Sequence, residues 1–175
     1  MVSIFFYGEL TVDERLNISL SPYGWSQEFS MLYIDNPIGT GFSYTNSSEG
    51  FSTNENSVAD NLYEFLQQFY QIFHDFRDKD LYISGLSYAG KYIPSIGYKL
   101  MQKSNESEIN FKGVAIGNGW IDPLNQFNYS MIMKSLGMVD EWGFQEVLNH
   151  EEKVRTEIKA KNWLKAQELW LELCI

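Results

Sequence analysis

The run Leu81-Tyr82-Ile83-Ser84-Gly85-Leu86-Ser87-Tyr88-Ala89-Gly90-Lys91-Tyr92 holds the residue types that could do nucleophilic chemistry. A serine hydroxyl is a poor nucleophile until a base takes its proton and donors stabilise the oxyanion formed on attack. The local pattern suggests how such a serine is presented. Residues 81–84 suit a short buried strand, and the segment after Ser87 reads as helix. A serine at the apex of a strand–turn–helix corner is strained and exposed. Strand and helix approach so closely there that the residues two before and two after it must be small. Gly85 and Ala89 meet that need, and Gly90 adds room. The plainer alternative is a serine that caps the following helix.

Partners for that serine are sparse. His74 lies upstream of Ser87, near the end of an expected helix. His150 lies downstream among charged helix formers, with Asp122 or Asp140 as the acid that could orient it. Geometry rather than chain order decides a triad, and neither histidine is expected to serve. Asn118 and Asp122 are expected to organise a turn and a helix start. Two histidines and one cysteine, far apart, have no ligand spacing, so no metal is expected. The glycines form no phosphate loop, so no nucleotide and no other cofactor is expected. A formal net charge of −10 disfavours nucleic acid as a partner.

The elements that must position Ser87 follow from periodicity. Met31–Asp35 reads as a short buried strand stopped by Asn36-Pro37, and Gly39 and Gly41 mark a tight loop. Capping residues at Ser52-Thr53-Asn54-Glu55 precede Val58, Leu62, Phe65, Leu66, Phe69, Ile72 and Phe73, the buried stripe of a long helix. The strand before Ser87 follows, then a helix towards Met101 kinked at Pro94, then a strand over 111–116. Asp122-Pro123 opens a helix carrying Leu124, Phe127, Tyr129, Met131, Ile132 and Leu136, and the charged stretch from Asp140 reads as two short helices. Residues 1–30 carry little pattern, with Ile4–Tyr7 a short strand or a helix end. Alternating strand and helix points to an α/β fold with a parallel sheet and crossover helices. About three strands fall short of the usual handful, so the sheet reads as incomplete.

Sequons occur at Asn17, Asn46, Asn105 and Asn128, which suggests glycosylation in the secretory pathway. No run approaches the length of a membrane span, and no leader is visible at Met1. Cys174 has no partner in this sequence, so its partner is expected elsewhere. These features together read as a fragment of a secretory protein.

Three runs resemble the serine carboxypeptidases, and among them the vitellogenic-like ones. They are Leu32-Tyr33-Ile34-Asp35-Asn36-Pro37-Ile38-Gly39-Thr40-Gly41-Phe42-Ser43-Tyr44, then Ser84 to Pro94, and Gly113-Val114-Ala115-Ile116-Gly117-Asn118-Gly119-Trp120-Ile121-Asp122-Pro123. Ser135 to Asp140 and the tail around Asn162-Trp163 look similar as well. The resemblance implies a partial α/β-hydrolase fold over 1–138, with 139–175 the start of a helical insertion above the active site. It implies peptide or protein C-termini as substrates, in an extracellular or lysosomal setting. Ser87 matches the acyl-forming nucleophile, and the backbone N–H of Tyr88 matches one donor of the oxyanion hole.

Departures from the family pattern bear on activity. The Gly-Gly-Pro-Gly loop that carries the other oxyanion donor is absent, and so are matches to the acid and the histidine. Leu86 stands where the family has the glutamate that reads the substrate's terminal carboxylate. That glutamate shares a proton with a second carboxyl group, which favours acid pH. Glu9 is a weak match to another glutamate of that network. The expectation is a serine-type carboxypeptidase that is inactive as this chain. A non-catalytic binding homologue and a serine esterase or acyltransferase are the alternatives.

Overall fold

The computed structural model describes Glu9 to Cys174, without the Cys174 side chain. The expectations for Ile4–Tyr7 and for a disulfide of Cys174 lie outside the described residues. Contacts divide the chain into two compact units, one ending at Gly119 and the other beginning at Trp120.

In the first unit a parallel pair of strands carries the Ser87 corner. β1 (Leu10–Val12) and β2 (Ile18–Leu20) form a small antiparallel hairpin. β3 (Leu81–Leu86) and β4 (Phe111–Gly117) are parallel, in register from Tyr82↔Gly113 to Leu86↔Gly117. The crossover between them is α2 (Ala89–Gln102), and α1 (Glu55–Ile72) precedes β3. The structure thus has the expected strand–helix–strand order at the corner, because only a crossover can join parallel neighbours.

α1 begins where its sequence signals place it. The Asn54 side chain accepts the Ser57 N–H at 3.0 Å, and Glu55 favours the positive end of the helix. Its apolar stripe buries Leu66 and Tyr70 against Ile96 and Leu100 of α2, with Leu81, Ile83 and Phe111 of the strands packed around them. A Cβ on Gly97 would lie 3.4 Å from Val114 Cγ1, an ordinary contact, so α2 lies directly on β4 there. Pro94 stands inside α2, which nevertheless continues to Gln102.

Elsewhere the expectations are corrected. Among the described residues Met31–Asp35 pairs with no strand, because an apolar run becomes a strand only where a neighbour supplies the ladder. The expected single helix after Asp122 is divided into α3 (Pro123–Gln126) and α4 (Tyr129–Ser135). Phe127 lies between them and is 1% exposed. Burying that ring outweighs continuing the helix. The tail forms the two helices expected, but they are not short: α5 (Glu141–Lys159) and α6 (Trp163–Cys174) are 19 and 12 residues long.

The second unit is held by a buried carboxylate. Glu151 of α5 is fully enclosed and accepts from Ser130 N–H at 2.8 Å and Ser130 Oγ at 2.9 Å. The Arg155 guanidinium lies 3.5 Å away and donates to the Phe127 carbonyl. One acid therefore satisfies a donor at the start of α4 and joins it to α5. Trp120 packs on Phe127 and Trp170, with each ring pair 5.4 Å apart.

Candidate active site

Ser87 sits at the turn between β3 and α2, exposed, with φ of +55°. A side chain in that left-handed region costs about 1–2 kcal/mol, so the surrounding structure must hold it there. Two features do so. The Ser87 N–H donates to the Gly117 carbonyl at 3.0 Å, tying the corner to the end of β4. The Ser87 carbonyl accepts the Gly90 N–H at 3.0 Å, which starts α2 immediately. A cap made by the serine side chain is not how the helix begins, since Tyr88 is the residue before it and no side chain caps it.

The small residues around Ser87 have a measurable role. A Cβ on Gly85 would come within 2.5 Å of Ala89 Cβ and 2.8 Å of Ile93 Cδ1. Gly85 and Gly90 are both buried. Strand and helix thus meet as closely as the sequence requires, and the serine is pushed outward at the junction. No carbonyl or side chain among the described residues accepts the Tyr88 N–H, which leaves that donor open beside Ser87.

The other sequence-selected residues fall in different places. Leu86 ends β3, with its side chain towards Gly117 of β4. Glu9 accepts from Ser26 N–H at 2.9 Å, from the Ser26 hydroxyl, and from Tyr33 OH at 2.9 Å. The Ser26 hydroxyl first, and then the other donors, hold its carboxyl below the ordinary range against partial desolvation. Asp35 accepts the Phe42 N–H at 2.8 Å and closes the glycine loop, where Gly41 has φ of +52°. Asn17, Asn46, Asn105 and Asn128 are all exposed.

Both histidines are engaged within their own surroundings. His74 is a surface residue 3.4 Å from Asp75. The His150 Nε2 lies 2.7 Å from the Leu169 carbonyl and 3.9 Å from Glu172, between α5 and α6. Asp122 binds Asn125 at the start of α3, and Asp140 caps α5 through the Gly143 N–H. No group of three or more metal-ligating side chains occurs among the described residues, and no helix among them is long and apolar enough to cross a membrane.

Sequence reasoning missed two features of this corner. One is the Gly117 carbonyl, a backbone acceptor that no residue type announces. The other is Glu55, an acid at a helix start with one enclosed carboxyl oxygen that has no hydrogen-bond partner.

Comparison with known proteins gives the same direction. The family profile for serine carboxypeptidases matches residues 4–171. A probable serine carboxypeptidase CPVL of Dictyostelium discoideum is 44% identical over 153 residues, covering 85% of this chain and 31% of that protein. The vitellogenic carboxypeptidase of Aedes aegypti is 44% identical over 133 residues, covering 76% of this chain and 28% of its own length. The crystal structure of Kex1Δp, a prohormone-processing carboxypeptidase from Saccharomyces cerevisiae, superposes with a TM-score of 0.79 at 26% identity. That match covers 95% of this chain and 39% of the yeast chain. The fold is therefore a partial α/β-hydrolase fold, and the chain spans about a third of the length of these curated relatives.

Proposed function

The chain belongs to the serine carboxypeptidase family, and from that premise we propose that it supplies the nucleophile segment of a serine-type carboxypeptidase. Ser87 attacks the scissile carbonyl of a peptide C-terminus and carries the acyl group. The open Tyr88 N–H donates to the oxyanion of the tetrahedral intermediate. The observation that carries this reading is the left-handed Ser87 held between β3 and α2 by the Gly85–Ala89 approach. On the same reading 1–138 belongs to the hydrolase core and 139–175 to the start of a helical insertion.

Assayed as these 175 residues, the protein is inactive. His74 lies beside Asp75 and His150 Nε2 meets the Leu169 carbonyl, and on this reading neither serves as the base for Ser87. In a serine protease of another fold, losing the histidine costs about a million-fold in turnover. The experiment compares release of a C-terminal residue from a blocked dipeptide by this chain and by a polypeptide that joins it to the family's acid and histidine. The expected result is no release by the first and release by the second that Ser87→Ala abolishes. Release by the 175 residues alone overturns the inactivity, and release that survives Ser87→Ala overturns the nucleophile.

Leu86 supports a second reading. An alkyl side chain before Ser87 can neither donate to nor accept from a terminal carboxylate, which suits an ester or acyl substrate, or binding without catalysis. An ester-to-peptide ratio that Leu86→Glu shifts towards peptides distinguishes the esterase from the peptidase. A triad-complete polypeptide that turns over neither substrate identifies the binding homologue. The exposed sequons support a glycoprotein of the secretory pathway, extracellular or lysosomal. Peptide mass spectrometry after enzymatic deglycosylation tests it, with conversion of Asn to Asp expected at one or more of Asn17, Asn46, Asn105 and Asn128.

A further inference from the structure

The sequon Asn128-Tyr129-Ser130 differs from the other three in where its hydroxyl lies. A transferase that accepts Asn only with Ser or Thr two residues on reads that hydroxyl, and so must reach it. Asn128 itself is exposed, but Ser130 is 0% exposed. Its hydroxyl donates to Glu151 Oε2 at 2.9 Å, and its N–H donates to Glu151 Oε1 at 2.8 Å. Glu151 is equally enclosed, with the Arg155 guanidinium 3.5 Å away.

The backbone is sequestered as well. α4 begins at Tyr129, so only Asn128 of the sequon stands outside the helix, and its carbonyl accepts the Ile132 N–H at 3.4 Å. Freeing Ser130 costs two buried hydrogen bonds and the packing of α4 on α5, which keeps the open form scarce. The other sequons are placed differently. At Asn46-Ser47-Ser48 both Asn46 and Ser48 are exposed. Ser19 of the Asn17 sequon is exposed on β2. Ser107 of the Asn105 sequon is half-buried, and its hydroxyl oxygen accepts from Gln67 at 2.9 Å.

We propose that Asn128 is a modification site gated by folding: it takes a glycan only before the second unit closes Ser130 onto Glu151. In the transfer the Asn128 side-chain nitrogen attacks C1 of a lipid-diphosphate-linked oligosaccharide. A new N–C1 bond replaces the C1–O bond, the lipid diphosphate leaves, and the amide nitrogen gives up one proton. The folded unit accommodates the product, since Asn128 is exposed and lines a surface recess with Asn125 and Lys159. Occupancy at Asn128 therefore records the race between transfer and folding of the second unit. Its meaning in a cell rests on the secretory reading above, whereas the gate itself does not.

The test combines purified oligosaccharyltransferase, a lipid-linked oligosaccharide and the 175-residue chain, with occupancy at each site read by peptide mass spectrometry. A synthetic peptide of residues 123–136 carries the same sequon without α5, and is too short to hold its helix. Asn46 in the same reaction reports that the enzyme reaches the folded chain. Asn128 is expected to be modified in the peptide, and at least about tenfold more slowly in the chain. Glu151→Ala, which releases Ser130, is expected to raise the Asn128 rate towards that of the peptide and to leave Asn46 unchanged. Equal rates in peptide and chain overturn the proposal. An unmodified peptide does so too, because the fold is then not what refuses the glycan. A Glu151→Ala chain as slow as the wild type removes the Ser130–Glu151 bonds as the gate. A gate found in a chain that cells leave unglycosylated keeps the proposal and removes only the secretory reading.

Discussion

At Ser87 the backbone explains more than the side chain. A φ of +55° is a standing cost for any residue with a Cβ. Glycine escapes that cost but loses more chain entropy on folding. The strain is the larger of the two, so Ser87→Gly is expected to exceed Ser87→Ala in stability by about 0.5–1 kcal/mol. Denaturant midpoints of the two variants check this, and equal midpoints mean that the corner is relaxed. The serine and its small neighbours were legible because steric need selects residue types. The acceptor at Gly117 was not, since every residue has a carbonyl. Glu55 was hidden for a different reason: an acid after a helix cap has an adequate local explanation, and only the folded structure reveals the enclosed oxygen.

Among the elements, long periodic segments were legible and short ones were not. α1 and the β3–α2 crossover rest on patterns sustained over several turns. The β1–β2 hairpin rests instead on Asp13, whose carboxylate accepts the Arg15 and Asn17 N–H groups, with Leu16 at φ of +63°. A leucine gives no hint of a left-handed turn. The junction of β3 with α2 yields a sharp prediction. Gly85→Val forces a branched side chain onto Ala89 and Ile93 and is expected to cost about 1–3 kcal/mol. Thermal unfolding measures it, with Gly113→Ala as a control because its nearest neighbour is 3.6 Å away. In the second unit, Glu151→Ala leaves the buried Ser130 N–H and hydroxyl without their acceptor, while Arg155 keeps its ion pair with Glu152. The expected loss is about 1–3 kcal/mol in equilibrium unfolding, where no measurable loss would mean that water replaces the carboxylate.

Across the whole molecule the two units ask different questions of the same chain. The first carries the corner on a parallel pair of strands whose Tyr82 is 66% and Val114 46% exposed. Parallel sheets are ordinarily covered on both faces, so concentration-dependent self-association is expected. Sedimentation should show it weakened by Tyr82→Lys. In the second unit His150 Nε2 lies 2.7 Å from the Leu169 carbonyl. Fold and family were legible because motifs span much of the chain in order. The catalytic outcome was not, because it turns on which group takes the Ser87 proton. The most direct measurement is therefore covalent. A phosphonofluoridate reacts only with a serine activated by a base. Incubated with a polypeptide that joins these residues to the family's acid and histidine, it should label Ser87, while the 175 residues alone stay unlabelled. Labelling at another serine, or none at all in the triad-complete polypeptide, would contradict the assignment of Ser87 as the nucleophile.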